Sequence, residues 1–223
     1  MKRVIYKIKS GVNLLLNYIF PNRCVLCLEE IEEGSFVCRS CLLKLKPFKN
    51  FSKDFYSLYH FDKNIKRLLW LLKYDFRGEI GFKLGKMLGR SLVSFLGRDD
   101  IALIPVPLHK HKFYMRGYNQ SKLISEGINS VSGWKLIDDM VKRSKFTKSQ
   151  TTLSKTKRKE NMKGAFSLNY PPNPNFIYYI VDDVVTTGAT TSQIKDLLIS
   201  NGAKKVFAVS VAAPNPPERG SDW

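Results

Sequence analysis

Two clusters of residues in this chain carry side chains whose types and spacing can do chemistry. The first is Val181-Asp182-Asp183-Val184-Val185-Thr186-Thr187-Gly188-Ala189-Thr190. A hydrophobic run over 176–182 ends in two adjacent carboxylates, passes through Thr-Thr-Gly-Ala-Thr, and enters a segment with helical character over 189–200. Successive backbone N–H groups around a glycine, followed by a helix N-terminus, form an anion-binding nest. Thr186, Thr187 and Thr190 add hydroxyl donors, and Gly188 lets the backbone come close to a phosphate. Asp182 and Asp183 can accept hydrogen bonds from vicinal ribose hydroxyls, and can help hold magnesium directly or through water. The pattern therefore predicts a site for a phosphorylated sugar. A Thr-capped strand-to-helix junction would share the Thr-Thr-Gly-Ala-Thr string but does not call for the acids. A Walker loop is excluded, because no Gly-Lys-Ser/Thr element is present.

The second cluster is Cys24-x-x-Cys27 and Cys38-x-x-Cys41, with ten residues between the pairs. Two such knuckles can aim four thiolates at one ion, and zinc suits four sulfur ligands best. A closed four-thiolate shell leaves no open coordination position, so the expected role is structural. Two disulfides or an iron–sulfur cluster would use the same thiols. Arg23, Arg39 and Lys44 surround the module and could face a nucleic acid or a protein.

The elements that must position these residues follow from periodicity. Strands are expected over 55–61, 101–106, 135–141, 176–182 and 205–212, and helices over 63–74, 79–97, 119–129 and 189–200. Residues 107–117 read as a loop. From residue 101 onward strands alternate with helices, interrupted by a basic insertion. This order implies a parallel sheet with ligands at the carboxyl ends of its strands. Residues 4–19 read as an amphipathic helix with a basic face, either docked on its own domain or lying on a membrane surface. No signal peptide and no membrane span is expected, which points to a cytoplasmic protein.

Charge indicates the class of partner. The 223 residues hold 37 Lys+Arg against 19 Asp+Glu, a net charge of +18. Residues 142–163 alone hold nine basic side chains against Glu160. Lys142, Arg143, Lys145, Lys148, Lys155, Lys157, Arg158 and Lys159 are the candidates for contacts to nucleic-acid phosphates. Phe113, Tyr114, Tyr118 and Phe146 lie near the basic segments in sequence and are candidates for base stacking. A generally basic surface around core aromatics is the plainer alternative.

The 180–190 segment resembles the phosphoribosyl pyrophosphate (PRPP) motif of type I phosphoribosyltransferases. That resemblance implies that Asp182 and Asp183 bind the ribose hydroxyls and that Thr186, Thr187, Gly188, Ala189 and Thr190 bind the 5-phosphate. Three further segments resemble the ComF family. They are Pro105-Val-Pro-Leu-His109, Arg116-Gly-Tyr-Asn-Gln120, and Arg143…Thr147-x-x-Gln150-x-x-Leu153…Arg158-x-x-Asn161…Ala165-Phe166. Lys112 departs from that pattern, which usually has Arg there, and lysine lacks the bidentate fork.

The resemblance runs from about 18 to 212. It implies an α/β, parallel-sheet, type I phosphoribosyltransferase-like domain over 51–215, with residues 142–163 as a basic hood. A zinc-binding module over 21–50 and the N-terminal helix over 1–20 would precede it. His109 and Lys110 become candidates for the pyrophosphate, and Arg116 and Gln120 for pyrophosphate or a second ligand. Asn119 is a candidate cap for the following helix. The implied function is PRPP and single-stranded-DNA binding in DNA uptake, with magnesium accompanying PRPP and other uptake proteins, such as a helicase, as partners. An active phosphoribosyltransferase with an unknown acceptor and a PRPP-tuned sensor are the competing readings.

Overall fold

A computed structural model describes residues 22–49, 54–96, 100–143 and 165–214. The amphipathic segment 4–19 and most of the basic stretch, including Lys145, Lys148, Lys155, Lys157, Arg158 and Lys159, lie outside them. The chain divides into two compact units, 1–46 and 47–223. In the first, short turns carry the four cysteines, and one short helix, α1 (Arg39–Leu43), begins beside Cys38.

The second unit is a three-layer α/β domain. Its elements are β1 (Phe55–His60), α2 (Lys63–Tyr74), α3 (Gly78–Leu96), β2 (Ile101–Pro105), α4 (Lys110–Arg116), α5 (Gln120–Ser132), β3 (Lys135–Leu136), β4 (Val141–Arg143), β5 (Phe166–Leu168), β6 (Ile177–Val184), α6 (Ala189–Ser200) and β7 (Lys205–Ala213). Five strands form one sheet in the order β1-β7-β6-β2-β3. Every pairing in it is parallel. Strands β2 and β6 are continuously apolar over most of their length, as strands covered on both faces must be. An antiparallel pair, β4–β5, stands apart from that sheet.

Helical spacing explains the layers. In α2 the buried positions are Ile65, Leu68, Leu69 and Leu72, behind an Asp62 N-cap whose carboxylate accepts from Asn64 N at 2.9 Å and Ile65 N at 3.0 Å. On the opposite side of the sheet, Ala102, Ile104, Tyr178 and Ile180 share a core with Ile194 and Leu198 of α6 and with Val141 and Phe166 of the β4–β5 pair.

Two sequence expectations need correction. The segment 107–117 is not all loop: residues 110–116 form α4, capped by His109, whose Nδ1 accepts from His111 N at 3.2 Å. With no buried residue and only seven positions, α4 leaves almost no apolar period to detect. The expected strand 135–141 is two short pieces, β3 in the main sheet and β4 in the antiparallel pair.

Helices α3 and α5 cross in close backbone contact. A Cβ on Gly85 would sit 2.1 Å from Ile124 O, and one on Gly127 would sit 2.1 Å from Phe82 O. Neither obstacle is a flexible side-chain end, so the helices must move apart to admit a methyl group. Gly85→Ala is therefore expected to cost about 1–3 kcal/mol. Urea unfolding at unchanged slope checks this, and a variant as stable as wild type would contradict the close crossing.

Candidate sugar-phosphate and zinc sites

The four sulfurs of Cys24, Cys27, Cys38 and Cys41 all lie within 4.8 Å of one another, and Cys27 Sγ is 3.6 Å from Cys38 Sγ. All four thiols are free of disulfides. Zinc–sulfur bonds of about 2.3 Å place tetrahedral sulfurs about 3.8 Å apart, so the residues fit a zinc ion. The loop geometry supports that shape. Cys24 N donates to Glu29 O at 2.8 Å, and Leu28 N donates back to Cys24 O at 2.8 Å. Leu28 itself takes φ 67°, turning the first knuckle tightly. With four cysteines the chain can complete one such shell, and the metal's role there is structural.

The acidic pair lies at the carboxyl end of β6, where β2 also ends. Strand register sets Pro105 beside Val181, and Val106 N donates to Val181 O at 2.9 Å. The pleat then separates the two carboxylates. Asp182 continues the Tyr178–Ile180 series and lines a small, open concavity with Val184, Thr186, Thr187, Gly188 and Thr190. Asp183 is only 4% exposed. It pairs with Lys73 of α2 and accepts from Gln120 Nε2 at 3.4 Å. Asp182 accepts from Ser121 Oγ at 3.0 Å and from Asp183 N at 2.9 Å.

The loop has the form expected of an anion cradle. Val185 is buried and anchored by its N–H to Ala212 O at 3.1 Å, whereas Thr186 and Thr187 are exposed. Gly188 occupies the N-cap of α6 at φ 68°, a conformation costly for other residues, and no side chain caps that helix. Thr191 Oγ1 donates to Gly188 O at 2.9 Å and so steadies the turn from below. The first turn of α6 faces the concavity with its positive dipole end.

Basic groups ring this crevice. Burial holds the Lys112 ammonium below the ordinary lysine range, and the nearby charges of Arg143, Arg116 and Lys73 push the same way. Arg143 lies half-buried over the Phe166 ring at 5.3 Å; burial holds its guanidinium below the ordinary arginine range, and the Asp182 charge opposes that shift in part. Arg116 Nη1 donates to Gln120 Oε1 at 3.0 Å. Asn119 caps α5 through Ser121 N at 3.0 Å, and its amide donates to Val106 O at 3.0 Å, tying the two loops together. Lys110 and Lys142 are exposed, and His109 is half-buried at its cap.

Three residues of this arrangement escape a reading of the sequence alone: Lys73, Ser121 and Thr191. Lys73 has a usable signal. It completes the i, i+4, i+8 series Ile65–Leu69–Lys73, so a cation sits on the apolar stripe of α2 and requires a buried counter-charge.

Burial, and next the neighbouring Asp183 charge, push the Asp182 carboxyl up from 3.8 to about 7. The folded chain thus holds this proton more tightly than the unfolded chain. Ionising Asp182 costs stability as pH rises from about 4 through about 7. Asp182→Asn carries no charge to lose. Its Tm is expected to gain on wild type across that window and to hold that gain at pH 8. A Tm difference that does not change between pH 4 and pH 8 would contradict this.

The chain matches a double zinc ribbon domain model over residues 15–51. It is 31% identical to the DNA utilization protein YhgH of Salmonella typhimurium over 82% of this chain and 80% of that protein. It is 33% identical to competence protein F of Haemophilus influenzae over 68% and 61% of the two chains. For competence protein ComFC of Streptococcus pneumoniae the identity is 26% over 86% and 81%. Among solved structures, a hypoxanthine phosphoribosyltransferase from Staphylococcus aureus aligns over 65% of this chain and 70% of that one, at 18% identity and a TM-score of 0.41. The sequence relationships suffice: this chain belongs to the family of competence protein F and DNA utilization protein YhgH.

Proposed function

We propose that this protein binds PRPP, or a closely related ribose phosphate, with magnesium at the carboxyl end of β6, and that it handles single-stranded DNA in DNA uptake. The observation that carries the first half is the concavity where Asp182 meets the Thr186–Thr190 loop and the uncapped start of α6. The 5-phosphate would take the loop amides and threonine hydroxyls, with α6 directed at it. Asp182 would accept from the ribose hydroxyls. Its ionised form is stabilised by a nearby cation, and magnesium held there with the ligand would supply one. Lys112, Arg116 and Arg143 surround the position left for a pyrophosphate, whose negative charge would offset their crowding. Asp183 is buried against Lys73 and Gln120, so in this reading it acts through them.

The second half is supported by relatives named for competence and DNA utilization, and by the +18 charge of the chain. It places the protein on the cytoplasmic side of an uptake machinery. No helix among the described residues is long and apolar enough to cross a membrane.

Calorimetric titration of PRPP with magnesium tests the site. Asp182→Asn/Asp183→Asn is expected to lose most of the affinity, and Asp182→Asn alone at least tenfold. A double variant that binds like wild type would overturn the assignment.

A further inference from the structure

The exposed side of α2 has a second pattern that the sugar-phosphate site does not use. Lys63, Arg67, Trp70 and Tyr74 recur at spacings of four, three and four, so they form one ridge along the helix, about 16 Å long at 1.5 Å per residue. Trp70 is 55% exposed and Tyr74 56%. Their rings stand 6.0 Å apart at 43°. Arg116 of α4 lies over the Tyr74 ring at 5.3 Å and extends the ridge onto a second helix. Phe76, in the turn after α2, is also exposed and takes φ 53°, a backbone conformation uncommon for a bulky residue. Large exposed aromatic side chains gathered in this way mark an interaction surface.

The charge of that surface selects its partner. Within α2 (KNIKRLLWLLKY) and α4 (KHKFYMR) every charged residue is basic. An aromatic row flanked by cations fits a polyanion that also offers flat π-faces. Single-stranded nucleic acid has both properties, with bases to stack and phosphates to pair. Packed duplex bases hide their faces, and a lipid surface offers no π-face.

We infer that the Lys63–Arg67–Trp70–Tyr74–Arg116 ridge is a stacking platform for single-stranded DNA. This inference rests on the DNA half of the function proposed above, and gives that partner a site distinct from the basic hood. The ridge also adjoins the ribose-phosphate site. Lys73 of the same helix pairs with Asp183, and Arg116 reaches Asp183 through Gln120. A strand lying on Trp70 and Tyr74 would therefore rest beside the crevice.

Binding of a labelled oligo(dT) to the full chain tests this. Trp70→Leu keeps an apolar side chain but removes the π-face. It is expected to weaken binding roughly 5- to 150-fold, the equivalent of about 1–3 kcal/mol per stacked base. Trp70→Tyr should recover most of that loss. Arg67→Ala should reduce the salt slope by up to about 0.7, whereas Trp70→Leu should leave it unchanged. Both side chains are exposed, and an unaltered Tm confirms that the variants fold. If wild type binds the oligonucleotide and Trp70→Leu binds it equally well, the platform is refuted while the DNA partner stands. If wild type does not bind the oligonucleotide, both fail. Trp70-dependent binding to vesicles containing phosphatidylglycerol, with no Trp70 dependence for oligo(dT), would assign the ridge to a membrane instead and also overturn the inference.

Discussion

The buried ion pair between Asp183 and Lys73 is the constraint around which the crevice is arranged. A buried carboxyl group at 4% exposure requires a polar partner, and α2 supplies one from its own apolar stripe. That contact fixes the end of α2 against the end of β6. The same Asp183 accepts from Gln120, which orients the first turn of α5 and, through it, Arg116. Ser121 and Asn119 then connect Asp182 and the end of β2 to that same helix start. One buried acid thereby sets the positions of three elements around its partly buried neighbour.

The two acids divide the work by the pleat. Asp182 faces the loop, and burial beside Asp183 makes it costly to ionise. Asp183 faces the helices and holds the frame. Of the cations near the crevice, Lys112 and Arg143 are partly buried. Cations of two elements, Lys73 of α2 and Lys112 and Arg116 of α4, lie close to one another near the acidic pair.

Much of this is legible in the sequence because local chemistry determines it. The acidic pair and the Thr-Thr-Gly-Ala-Thr loop lie within one stretch of chain, and so do the paired cysteines. The apolar runs of β2 and β6 announce buried parallel strands, and Asn119 announces its cap. What depends on distant contacts is less visible. No local feature tells that β1 pairs with β7 at the sheet edge, some 150 residues away in sequence. Helix α4 buries nothing and so leaves no apolar period. Lys73 lies 110 residues from Asp183, and only its place on an apolar stripe hints at the pairing. The aromatic ridge of α2 is interleaved with the buried Leu68, Leu69 and Leu72, which conceal it among ordinary core positions.

The most direct test of the central claim is a crystal structure of the protein with ribose 5-phosphate and magnesium bound. The account predicts the phosphate against the amides and hydroxyls of Thr186 to Thr190, the ribose hydroxyls at Asp182, and Asp183 still held by Lys73. A ligand bound away from β6, or an Asp182 carboxylate that stays on Ser121 with no sugar near it, would contradict it.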